Sequence, residues 1–268
     1  MYLLDDAIDL WLAIISQTAG PTGEIMSLAP YLYSLYDMEH DMLEKAFHLT
    51  ESYILLAPSE MLQDSHRQNI LVAFTKLLGD KKPWINDYIA ENYHRMVRAA
   101  DALGGVPAVQ LVVQHSMEVG LLPKMLSSLD LDWECHQTSG PNRKESPVDW
   151  KNESSYFVVL ARIIMISVDV SLALIEQWST NNSRDFNIIL AHLLEEAFGN
   201  MDAVGEPEQS KLICMALTKL LETNQPFILN KLQDLMGMWT TRIVDLRHYD
   251  SDRTGEYVGT FLLVLTPC

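Results

Sequence analysis

The sequence predicts an all-α chain, an α-α superhelix of about five helix pairs. Three observations predict it. Gly and Pro together number 23 of 268 residues, below the usual share of roughly 12%, so a many-stranded sandwich or barrel is disfavoured. Apolar residues recur with helical periodicity nearly throughout. Breakers fall at regular intervals and divide the chain into units 1–37, 38–79, 83–130, 153–200 and 206–246.

The elements follow in order. Ile8, Trp11, Leu12 and Ile15 recur at i, i+3, i+4 and i+7 and define the first helix, which Gly20-Pro21-Thr22-Gly23 ends. Asp37 is the expected N-cap of the next unit. There Leu43, Phe47, Thr50 and Ile54 form one helix face, and Asp41, Glu44, His48 and Glu51 form a polar stripe opposite. Pro58-Ser59-Glu60 restarts the chain, Gly79 to Pro83 opens the third unit, and Gly104-Gly105 breaks it. Residues 131–152, with Gly140, Pro141 and Pro147 and no periodicity, read as a long exposed loop. Asn181 to Ser183 divides the fourth unit. Gly205-Glu206-Pro207 opens the fifth, in which Ile213, Ala216, Leu217 and Leu220 share a face, and Asn224-Gln225-Pro226 divides it. Pro207 and Pro226 sit where a first helical turn tolerates a missing N–H. Residues 1–249 thus form the solenoid, and 250–268 form a C-terminal tail whose run Phe261-Leu262-Leu263-Val264-Leu265 has no assigned structure.

Units of 37 to 48 residues match the period of HEAT or armadillo arrays and exceed the 34 of tetratricopeptides. A HEAT-repeat solenoid fits short connections in hairpin order better than the competing compact bundle, because each pair buries its faces on its neighbours. Phe157 to Ile175 has nearly the length of a bilayer span, but it carries Arg162 and Asp169, each costing roughly 2.5–3.5 kcal/mol at mid-membrane. It reads as one helix buried on most sides, and no membrane insertion is expected.

Asp plus Glu number 36 against 19 Lys plus Arg, a net charge of −17. Such a chain repels nucleic acid and attracts basic partners. Cys135, Cys214 and Cys268 are odd in number and far apart, with no CxxC, and read as reduced thiols. Met1 to Leu4 runs into Asp5 and Asp6 without a basic segment, so no signal peptide is expected. There is no phosphate loop, HExxH or GxSxG, and no cofactor or metal is expected. Asp5-Asp6-Ala7-Ile8-Asp9 spells DDxxD, in which carboxylates one turn apart can share magnesium. The second metal motif that terpene synthases carry is missing, however, because Asn86-Asp87 meets Ala90 and His94 where Ser and Glu are needed. The carboxylates read instead as a solvated helix start, and no catalysis is expected.

The acidity is concentrated. Residues 1–64 hold 11 acids against the single base Lys45, and residues 185–210 hold no base. Residues 67–98 carry six bases and three acids. For any one side chain a solvated face is the plain reading. As regions, one-signed fields focus basic ligands. The candidate binding residues are Asp5, Asp6, Asp9, Asp41, Glu44 and Glu51 in the first field, and Glu195, Glu196, Asp202, Glu206 and Glu208 in the second.

Leu4 to Trp11 resembles a repeat-opening helix in the C-terminal half of importin-β-type nuclear transport receptors, and within them the importin-11-like branch. Phe47 to Glu60, Met236 to Asp245 and Asp252 to Tyr257 are similar to later segments of that branch, although the gap before Met236 differs. Two features depart from it: the 131–152 loop is longer, and the terminal apolar run has no counterpart. The resemblance implies the C-terminal cargo-binding portion of a receptor that moves between cytoplasm and nucleus through pores of the nuclear envelope. It implies basic protein cargo and phenylalanine-glycine nucleoporins as partners. It also implies the GTPase Ran, with Ran's main site outside this portion. A HEAT scaffold of a phosphatase or chromatin complex is the alternative.

Overall fold

The structure, a computed structural model, describes residues 2–38, 40–79, 82–138, 145–146, 148–201, 204–223 and 225–254. Among them the secondary structure is helical, without a strand. The first unit holds α1 (Tyr2–Ser16), α2 (Gly23–Leu28) and α3 (Leu32–Leu35), and the second α4 (His40–Leu56), α5 (Pro58–Met61) and α6 (Asp64–Leu77). The third holds α7 (Pro83–Val119) and α8 (Leu121–His136), and the fourth α9 (Trp150–Ile166), α10 (Val168–Asn181) and α11 (Phe186–Gly199). The fifth holds α12 (Pro207–Lys219), α13 (Pro226–Asn230) and α14 (Leu232–Thr254).

α7 is two helices. Gly105 has φ 60° and ψ −149°, a conformation closed to side-chain-bearing residues, and Pro107 follows it. The chain reverses there: Tyr93 and Ser116 share a hydroxyl–hydroxyl hydrogen bond of 2.7 Å, whereas a straight helix would set them about 35 Å apart. With that division each unit has three segments, not the two of a simple hairpin. The connecting middle segment is short in the first, second and fifth units and long in the third and fourth.

First segments stack in a row, α1 on α4, α4 on α7, α7 on α9 and α9 on α12, while third segments form a second row through α3, α6, α8, α11 and α14. Every substantial contact between described units joins sequence neighbours. That nearest-neighbour pattern defines a solenoid, and it buries one continuous core from Ile8 to Met238. First helices begin at Tyr2, His40, Pro83, Trp150 and Pro207, all more than 34 residues apart.

Polar bonds lace neighbouring units. Trp11 donates its indole N–H to the Tyr53 hydroxyl at 3.0 Å, and Tyr53 donates to the Ile25 carbonyl at 2.8 Å. Lys124 on α8 donates to the Thr75 carbonyl at the end of α6, and Lys219 on α12 to the Met165 carbonyl at the end of α9. Each lysine satisfies a carbonyl left over at a helix C-terminus and complements its dipole.

Several expectations are corrected. Asp37 does not cap α4, which begins at His40; it pairs instead with Lys76. Phe157 to Ile175 is not one helix: Ser167 ends α9 and caps α10, its hydroxyl accepting from the Val170 N–H. The described helix long and apolar enough to cross a membrane, by length and composition, is α7, which folds back at Gly105 and packs on α4, α6, α8 and α9. The 131–152 loop is shorter than expected, because α8 runs on to His136 and α9 begins at Trp150. Asp132, Cys135 and Asn152 are buried, so its flanks belong to the packed helices. α14 continues to Thr254, across the expected boundary at 249, and the apolar run 261–265 lies outside the described residues.

Candidate functional site

The first acidic field is partly neutralised from within. Lys45 on α4 reaches both Asp5 and Asp9 on α1, with Nζ 2.5 Å from an oxygen of each, and these bonds raise the lysine pKa. The DDxxD carboxylates therefore flank a resident ammonium and tie the first unit to the second. Asp6 between them is exposed. The side chain of Asp41 lies outside the described residues. Glu44 accepts from the Tyr88 hydroxyl at 3.2 Å, and Glu51 pairs at 3.1 Å with Arg95, which also holds Glu91. Part of the basic stretch 67–98 thus faces the acidic stripe of α4 across the α4–α7 contact.

The second field is built differently. A groove of about 610 Å³ opens between α8, α9 and α11, lined in part by Asp132, Trp133, Glu153 and Glu196, with His136, Trp150 and Glu195 exposed at its rim. The Trp133 ring stacks on His192 with centroids 3.4 Å apart, and its indole N–H donates to Glu195 at 2.9 Å. Behind it Asp130, buried, is held by Arg184 at 3.1 Å and His192 at 2.8 Å. Glu196 meets His136 Nδ1 at 2.9 Å, and Ser146 donates to Asp132. Burial first, and then the charges of Asp132 and Glu196, push the Glu153 carboxyl up to about 9, so it holds its proton at neutral pH. Asp202 lies outside the described residues, while Glu206 and Glu208 are exposed where α12 begins and favour its dipole.

The structure therefore gathers Glu195 and Glu196 into one groove, leaves Glu206 and Glu208 at the start of the next unit, and adds residues that sequence reasoning missed. Asp132 and His136 stand four apart on α8, which sets them on one helix face. That spacing was visible, but a loop reading of 131–152 removed its meaning. Glu153 gave no signal, because only packing places α9 against α8 and α11. One donor atom from each of Asp132, His136 and Glu196 lies within 4.8 Å of the others, an arrangement able to hold a metal ion.

A basic counterpart lies on the α7–α9 contact. Arg162 donates from Nε to His94 Nε2 at 3.0 Å. Burial, followed by the charges of Arg162, Arg98 and Arg95, depresses the His94 pKa to about 4.

A row of helical units with open grooves and a surplus of carboxylates defines a helical-repeat protein whose resources are surface and charge. Residues 1–267 match the family model described as "Importin-11-like, TPR repeats", and the chain belongs to that family. It is 20% identical over 263 residues to importin-11 of Homo sapiens and 21% identical over 265 residues to importin-11 of Mus musculus. Each match covers 98% of this chain and 24% of the relative, so the chain spans about a quarter of their length.

Proposed function

We propose that this chain is the cargo-binding portion of a nuclear import receptor, acting by binding and without chemistry. The observation that carries the reading is the charge surplus on an importin-11-like solenoid. If every Lys and Arg paired, 17 carboxylates would still lack a partner. A basic segment of a cargo protein supplies the missing cations. Asp6, Glu195, Glu206 and Glu208 offer exposed carboxylates to it. The rim of the α8–α9–α11 groove adds Trp150, 59% exposed, whose ring face suits a lysine or arginine side chain. The groove between α11 and α14, where Phe198, Met201 and Met238 lie among the polar Gln233, Asp234, Thr241 and Arg242, is the matching candidate for the rings of phenylalanine-glycine nucleoporins. In the longer receptor the main Ran-GTP site lies elsewhere, and the setting is the cytoplasm, the nucleus and the pore.

The test is fluorescence anisotropy of a labelled lysine- and arginine-rich cargo segment across a salt series. Replacing Asp6, Glu195, Glu206 and Glu208 by their amides is expected to weaken binding and flatten its salt dependence. An unchanged affinity and slope would remove these residues from the interface. Retention on immobilised phenylalanine-glycine repeats is expected of a receptor, whereas a phosphatase or chromatin scaffold would pass through.

A further inference from the structure

The floor of the α8–α9–α11 groove has a composition that charge attraction to cargo does not explain. Asp132, Glu153 and Glu196 are 1%, 2% and 6% exposed, too deep for a surface field. They come from three different helices, so the fold itself brings them together. Among the described residues no Lys or Arg forms an ion pair with any of the three. The basic groups that face them are His136, bonded to Glu196, and beyond it His192, which is committed to Asp130. Two buried carboxylates, Asp132 and Glu196, set beside a third carboxyl and without a fixed cation, are costly unless something neutralises them. Glu153 Oε1, fully buried, has no hydrogen-bond partner, although the carboxyl lies against Asp132 and Glu196. That oxygen is buried beside the cluster and receives no hydrogen bond from any protein donor.

We infer that Asp132 and Glu196, with the imidazole of His136, form a site for a divalent cation of the Zn²⁺ type, with Glu153 as a positioning residue beside it. The donor atoms of Asp132, His136 and Glu196, all within 4.8 Å of one another, leave room for one ion among them. Glu153 lies against Asp132 and Glu196 outside that donor set and positions the two carboxylates from behind. An imidazole alongside carboxylates suits Zn²⁺ and its transition-metal neighbours, whereas Mg²⁺ and Ca²⁺ prefer oxygen alone. In the metal-free protein His136 Nδ1 and Glu196 are joined to each other at 2.9 Å; the ion would replace that hydrogen bond with two ligand bonds. The Ser146 hydroxyl, donating to Asp132, fixes one carboxylate from outside the donor set. The ion would pin α8, α9 and α11 to one another, joining the third unit to the fourth at the level of Trp133 and Glu195. This site does not depend on the cargo reading.

Calorimetric titration of the chelator-treated chain with Zn²⁺ tests it. One ion per chain, a raised melting temperature, and visible d–d absorption when Co²⁺ replaces Zn²⁺ are expected. His136→Ala and Glu153→Gln, each checked for native circular dichroism, should weaken Zn²⁺ by more than about 10-fold, the least that loss of even an outer-shell partner costs. Glu176→Gln, exposed on α10, should leave the affinity unchanged. Absence of stoichiometric binding would overturn the site, as would binding that survives both groove variants. Mg²⁺ binding as tightly as Zn²⁺ would overturn the role of His136. The Co²⁺ spectrum is read on the unmodified chain, so the test stands even if a variant fails to fold.

Discussion

Tyr53 stands where three segments meet: its hydroxyl accepts from Trp11 of α1 and donates to the Ile25 carbonyl of α2, while its ring lies in the core. Tyr53→Phe removes both bonds at once and keeps the ring. Leaving a buried carbonyl and an indole N–H unpaired is expected to lower stability by about 1–3 kcal/mol, read as a shift of the denaturant midpoint. Glu153 gives a residue-scale prediction of opposite sense. Its pKa is raised from 4.5 to about 9 in the folded chain, so the native state keeps a proton that the unfolded chain has released. The stability this proton contributes is complete below pH 4.5 and falls as pH rises toward 9, by up to about 1.4 kcal/mol for each pH unit. In metal-free buffer Glu153→Gln should therefore gain on the parent chain as pH increases from 5 to 8. A stability difference independent of pH would show that Glu153 is ionised in the fold. His94 has a depressed pKa, and the stability tied to its neutral form is lost as pH falls from 6.5 toward 4; the two windows overlap between pH 4.5 and 6.5, where their slopes are opposite.

At the scale of elements, the prolines and glycines carried most of the legible information. Pro58, Pro83, Pro207 and Pro226 each open a helix, where their fixed φ and missing N–H cost nothing. Gly104-Gly105 marks a true reversal. Substituting Ala at Gly105 forces a side chain into a φ of +60° with ψ near −149°, and should cost about 1–3 kcal/mol of stability. Thermal unfolding of Gly105→Ala against Gly20→Ala, a site with no positive φ and nothing within 4 Å of an added Cβ, isolates the backbone term. Other features were not legible. The apolar run from Phe157 gave no sign of the break at Ser167, because one serine inside an apolar stretch reads as helix until its hydroxyl is seen capping α10. Likewise Asp132 and His136 had a helical spacing, but proline and glycine downstream outweighed it. Local pattern reports where chain direction changes far better than it reports which side chains from three helices share a groove.

For the whole molecule, the order of units, the all-helical class and the family resemblance were all readable from periodicity and short matches. The distribution of charge was readable only as regions. Residues near the chain start looked like a free acidic surface, yet Lys45 binds Asp5 and Asp9, and Arg95 binds Glu51. Ion pairs across unit boundaries depend on which helices stack, and composition does not contain that information. What remains unpaired is a field spread along a row of units, and both the cargo reading and the groove on α8, α9 and α11 depend on that row being open.

A distance between first and fifth units tests the row most directly. Spin labels at Ala13 on α1 and Glu208 on α12, with Cys268 replaced and buried Cys135 and Cys214 left in place, report it by pulsed electron resonance. α1, α4, α7, α9 and α12 stack in sequence, and four steps of about 8–10 Å predict a separation of roughly 30–40 Å. A dominant distance near a single helix spacing, about 10 Å, would mean that the chain closes on itself and would contradict the open solenoid.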